Sequence, residues 1–154
     1  MRAGRERVDE LEDLWAAMHQ HHAGLPDLPP TRPVTESWRR RKEQYVQWLA
    51  KEGAHLLIAE VNGRPIGYAI VRLEPGPPTW DIGECVAELE SLSVAADARG
   101  DGVGTKLLAS ARALAQEAGA ARLLVSVAHS NAAAIRFYQR EGFEPFYVLL
   151  SEKR

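Results

Sequence analysis

Residues 99–104 read Arg-Gly-Asp-Gly-Val-Gly, three glycines within five positions directly before a run of apolar residues at helical spacing. Glycine lets the backbone turn sharply and approach a ligand closely. The amides of 100–105 then point outward at the start of a helix over 103–118, where unpaired N–H groups and the helix dipole favour a phosphate. An ordinary strand-to-helix turn with no ligand has the same composition. A P-loop needs Gly-Lys-Ser/Thr at this point, but the order is Gly104-Thr105-Lys106. A dinucleotide fingerprint needs a third glycine where Thr105 or Leu107 stands. Both nucleotide readings fail on spacing.

Other reactive residues carry less. His19, His21 and His22 cluster at the end of a helical run, but no third metal ligand accompanies them, so no metal site is expected. Cys85, the one cysteine, reads as a small core residue and excludes an internal disulfide. The 19 Lys+Arg nearly balance 21 Asp+Glu, for a net charge of −2, which argues against a nucleic-acid partner held by bulk electrostatics. At 154 residues, 45% hydrophobic and 26% charged, the chain has the size and composition of one folded domain, expected to span 1–154. No apolar run approaches the roughly 20 residues of a membrane span. Charged residues from Arg2 to Glu10 occupy the place of a signal segment. The expectation is a cytoplasmic protein with no membrane partner.

The elements that must position the loop are legible from spacing. Val8, Leu11, Leu14, Trp15 and Met18 predict a helix over 8–24, and a proline-rich loop follows at 25–33. Thr35 offers an N-cap for a second helix to about Glu52, with Trp38, Tyr45, Trp48 and Leu49 on one side and Arg39–Lys42 on the other. Asn62-Gly63 between two β-rich runs predicts a hairpin. Residues 84–94 read as a strand whose period slips: Leu89 is out of phase with Leu92 and Val94, and a one-residue bulge between them restores all three to one face. A strand over 121–128, a short helix from Asn131 to Glu141 and one or two strands in 143–150 complete the order. This is an α/β domain with a mixed sheet, antiparallel early and closed by a strand–helix–strand crossover.

The stretch from Glu88 to Leu108 resembles the central motif of the GCN5-related N-acetyltransferases, R/Q-x-x-G-x-G/A after a strand, filled here by Arg99, Gly102 and Gly104. Residues 131–143, NAAAIRFYQREGF, resemble that family's next motif at every fixed position. Order and separation agree. The resemblance implies the acyl-CoA N-acyltransferase fold, with a central sheet splayed at the cofactor strand.

It also implies acetyl-CoA as co-substrate and a primary amine as acceptor. The pyrophosphate would lie on Arg99, Gly100, Asp101, Gly102, Val103, Gly104 and Thr105. The pantetheine would pair with the backbone of Leu92, Ser93 and Val94 and meet Asn131, Ala134, Phe137 and Tyr138. Tyr138 takes the place of the family's proton donor to the departing thiolate. Asn131 also reads as a plain helix cap. Glu90, or Glu88, is the carboxylate that would deprotonate the amine through water, Glu90 being nearer the segment where the thioester would lie. Trp38, Arg39 and Trp80 are further candidates for acceptor contact. Ser126 stands where some peptide-terminal acetyltransferases carry a glutamate, which weakens a ribosomal-protein substrate. A catalytically silent CoA-binding module is the rival reading, and a homodimer is left open.

Overall fold

Alternation along β3 (Arg64–Pro75) buries both of its faces, with Gly67 to Val71 all inaccessible. Such a strand must sit inside a sheet covered on both sides. The computed structural model, which describes residues 1–154, shows this arrangement. Five strands run in the order β1 (Arg2–Ala3), β2 (Ala54–Val61), β3, β4 (Cys85–Val94) and β5 (Leu123–Val125). The first four pair antiparallel, and β4 pairs parallel with β5. Two helices, α1 (Glu12–Ala23) and α2 (Val34–Leu49), cover one face. Helix α3 (Val103–Glu117) covers the other and is flanked by α4 (Ala132–Arg140). Ala69, Val71, Leu89, Leu107 and Leu108 fill the core on the α3 side. Trp15, Trp38, Tyr45, Tyr68 and Ile70 fill the core on the α1/α2 side.

The hairpin forms as its sequence predicts, with Asn62 and Gly63 at φ 51° and 76°, the pair of positive values a type I′ turn requires. The bulge in β4 is also present. Ile70 faces Ser91 and Val71 faces Leu89, so Glu90 is the extra residue, and Leu89, Leu92 and Val94 pack on one core. The β4–β5 ladder stops there, at Leu89 opposite Val125, while β4 continues to Val94. The two strands therefore part at the bulge.

Four expected elements differ. The helix over 8–24 divides into a 3-10 turn, Arg5–Leu11, and α1. The second helix starts at Val34 directly after Pro33 and ends at Leu49. Thr35 therefore lies inside its first turn and caps nothing. The strand over 121–128 shortens to Leu123–Val125, because beyond the bulge β4 no longer offers a partner. Residues 143–150 form no strand: β5 presents only three residues of edge, and Val148, Leu149 and Leu150 stay exposed. Side chains anchor that tail instead, with Trp80 Nε1 donating to Tyr147 Oη at 2.8 Å and Arg122 stacked on Phe146.

Candidate active site

The parting of β4 and β5 opens a gap bordered by the glycine loop and the start of α4. Ala95 N donates to Ile66 O on β3. Amides alternate along an extended strand, so those of Leu92 and Val94 face the other way, into the gap. The side chains divide differently. Leu92 and Val94 pack toward α3, while Ser93 is buried and donates its hydroxyl to Leu14 O at 2.9 Å. The amide and carbonyl of Ser93 face Tyr68 on β3, so neither its side chain nor its backbone opens onto the gap.

Gly100 and Gly102 adopt φ 86° and 76°, in the left-handed region that favours glycine. A Cβ at either would meet no atom within 4 Å, so the loop surface is open. Arg99 and Asp101 are exposed, and Arg99 Nε donates back to Val94 O at 3.3 Å. Val103 is a core residue and Thr105 Oγ1 bonds Glu141 Oε1 at 2.8 Å, so these two contribute amides rather than side chains. A Cβ at Gly104 would stand 3.4 Å from the Phe137 ring, an ordinary contact, so the backbone of α3 lies directly against that ring.

Across the gap, Asn131 is buried and caps α4, its Oδ1 accepting from Ala134 N at 3.2 Å. The cap reading of Asn131 therefore holds, and its side-chain amide donor is left for another partner. His21 Nε2 also approaches Oδ1, at 3.4 Å. The adjacent Ser130 Oγ is buried with no partner. Tyr138 packs edge-on against Phe137 and Phe143. Burial pushes its phenol up to about 12. These residues suit a long ligand carrying amides at one end and phosphates at the other.

On the opposite face of the sheet, at the bulge, lies a cavity of about 480 Å³. One stripe of α1 lines it with Trp15, Met18, His19 and His22, and one stripe of α2 with Ser37, Arg40, Arg41 and Gln44. Thr31 and Arg32 close one end, and Glu90 and Ser91 form the part belonging to β4. Spacing alone missed most of these residues, although both stripes follow i, i+3, i+4, i+7 and so mark single helix faces. Trp38 and Arg39 do not join them. Trp38 is buried against Trp15 and Tyr45, and Arg39 pairs with Glu43 on the surface. Trp80 is engaged with the C-terminal tail.

Two carboxylates stand near the bulge with different surroundings. Glu90 pairs with Arg72 at 2.7 Å, and Arg72 also lies over the Trp48 ring. Burial, reinforced by the charge of Glu90, holds the Glu88 carboxyl above its ordinary range. Beneath them Tyr45 Oη bridges Ser91 Oγ at 2.6 Å and Tyr68 Oη at 3.1 Å. No cluster of three or more His, Cys, Asp or Glu is placed to hold a metal ion. No helix is long and apolar enough to cross a membrane.

A splayed mixed sheet with an open glycine turn at its fork is the architecture of one acyltransferase class. Residues 9–143 match the profile of the Acetyltransferase (GNAT) family, and the chain belongs to that family. It is 34% identical over 143 residues to an uncharacterized N-acetyltransferase of Methanocaldococcus jannaschii, covering 88% of this chain and 57% of that one. It is 36% identical over 109 residues to the aminoglycoside N(6')-acetyltransferase type 1 of Klebsiella pneumoniae, covering 67% and 54%. The chain thus spans about half the length of the curated relatives it matches. The solved structure of aminoglycoside N-acetyltransferase AAC(6')-Iy in complex with CoA superposes with a TM-score of 0.72 at 18% identity, covering 99% and 91%.

Proposed function

We propose that this chain, as one domain over 1–154, transfers an acetyl group from acetyl-CoA to a primary amine. The observation that carries the reading is the fork itself: β4 leaves β5 at the Glu90 bulge, with the open loop of Gly100 and Gly102 at its mouth. In this reading the amides from Gly100 to Thr105 hold the pyrophosphate at the start of α3. The amides of Leu92 and Val94, with Asn131, hold the pantetheine arm. Ala134, Phe137 and Tyr138 flank the thiol end.

The cavity on the other face delivers the amine, so the thioester and its attacker meet at the bulge. Glu90 lines that cavity and is assigned as the base acting through water, with Glu88 as the second carboxylate of the pair. The amine nitrogen attacks the thioester carbonyl, the C–S bond breaks and the amine proton passes to the carboxylate. A strand amide near Leu92–Val94 stabilises the developing oxyanion. Tyr138, protonated throughout the working range, donates to the leaving thiolate. Holding two activated reactants together supplies most of the acceleration. The retained Tyr138 and Glu90 favour an enzyme over a silent binding module.

Calorimetric titration with acetyl-CoA tests this, comparing wild type with Gly102→Glu. Micromolar binding that the variant loses is expected, because the new carboxylate would occupy the open space above the loop. Equal binding by both proteins, or none by either, would overturn the donor site.

A further inference from the structure

The cavity at the bulge carries an uneven charge. Three arginines, Arg32, Arg40 and Arg41, and the two histidines His19 and His22 face it, against the single carboxylate Glu90. That carboxylate is already held by Arg72. Along α2, Arg39, Arg40 and Lys42 are each tied to a carboxylate, respectively Glu43, Glu36 and Asp9. Arg41 and Arg32 are tied to none. Arg41 is half-buried and lies over the Tyr45 ring, 5.8 Å from its centroid, which fixes its guanidinium at the cavity wall. Arg32 stands at the other side of the entrance, where its own carbonyl accepts from His19 Nε2 at 3.0 Å. His22 reports the local field. Burial lowers its affinity for a proton, and the positive neighbours His21, His19 and Arg41 lower it further, with no carboxylate opposing them.

We infer that the acceptor is a primary amine that also carries an oxyanion, either a carboxylate or a phosphate ester, held by Arg41 and Arg32 while the amine faces Glu90. This rests on the acetyl-transfer reading and narrows its acceptor. A guanidinium fork matches either oxyanion with two parallel hydrogen bonds. A polycation such as an aminoglycoside would meet unpaired like charges in the same place. The transfer keeps its balance: the N–C bond forms, the C–S bond breaks, and the oxyanion passes unchanged into the amide product.

Matched acceptors test the inference with acetyl-CoA as donor: L-phenylalanine against phenethylamine, O-phosphoethanolamine against ethanolamine, and kanamycin as a polycation. At least one anionic member is expected to exceed its uncharged-tail partner and kanamycin tenfold or more in kcat/KM. Arg41→Gln should erase that preference, mainly through KM, with acetyl-CoA affinity unchanged. A second readout needs no turnover: inorganic phosphate or acetate should raise the NMR titration midpoint of His22 in the wild type but not in Arg41→Gln. The pair showing the preference separates carboxylate from phosphate. Preference for kanamycin or phenethylamine, a preference that survives Arg41→Gln, or no turnover of any probe together with an unmoved His22 would each overturn the inference. Loss of acetyl-CoA binding by the wild type would count against the transfer reading instead.

Discussion

Replacing Tyr138 by phenylalanine removes one hydroxyl and leaves the packing against Phe137 and Phe143 in place. Burial alone moves this phenol from its ordinary 10 to about 12. That disfavours the phenolate by about 3 kcal/mol, at roughly 1.4 kcal/mol per decade. At neutral pH the group is therefore a proton donor, with only about one molecule in 10⁵ ionised. A placed general acid contributes about 10²–10⁴ in rate, so Tyr138→Phe should raise the barrier by about 3–5 kcal/mol through kcat, with acetyl-CoA affinity unchanged.

Stability supplies an independent check. A group whose folded value is raised favours the fold fully below its unfolded value of 10 and loses that contribution as pH rises through about 12. The variant should match the wild type near neutrality and lose less stability across that alkaline window. Assays are single-turnover and steady-state thiol release with one fixed amine, and the difference in phenolate absorbance between the two proteins across the alkaline range. A kcat within threefold of wild type would refute the proton-donor role, and a difference spectrum titrating near 10 would refute the burial argument.

The two carboxylates separate by the opposite signs of their stability effects. Ionised Glu88 destabilises the fold because its carboxyl is held above the ordinary range. Glu88→Gln should accordingly raise the thermal midpoint at neutral pH, and the gain should fade as pH falls below the carboxylate range. Glu90→Gln breaks the pair with Arg72 and should lower the midpoint, and as the base variant it should lose about 10²–10⁴ in kcat, a deficit that points to Glu88 if it appears there instead. Gly67→Ala would place a Cβ 3.0 Å from Leu107 Cδ1 and 3.1 Å from both Ser93 O and Val103 Cγ1. The expected cost is about 1–3 kcal/mol in urea unfolding, with weaker acetyl-CoA binding because Ser93 belongs to the fork. Tyr45→Phe removes the bridge between the Ser91 and Tyr68 hydroxyls, at about 1–3 kcal/mol, measured by the same unfolding.

What could be read from residue order was local. Positive φ at Asn62-Gly63 and at Gly100 and Gly102 follows from short-range sterics, so the hairpin and the glycine loop were visible without a fold. The bulge was visible too, because a period of two makes one slipped leucine count, and Leu89 lies on the same core face as Leu92 and Val94. The family motifs around Arg99 and Asn131 marked the segments proposed to hold the donor.

The cavity proposed for the acceptor needed tertiary structure. Its walls come from α1, the loop at Thr31–Arg32, α2 and β4, segments up to 76 positions apart between Trp15 and Ser91, which meet only when both helices pack on one face of the sheet. Residue order presents Arg39–Lys42 as one charged run. Packing against Asp9 and across single helix turns neutralises three of the four, leaving Arg41 at the cavity wall. Strand length was likewise a tertiary outcome. Residues 121–128 have the composition of a strand, but a strand exists only as far as a partner satisfies its backbone, and β4 turns away after Leu89.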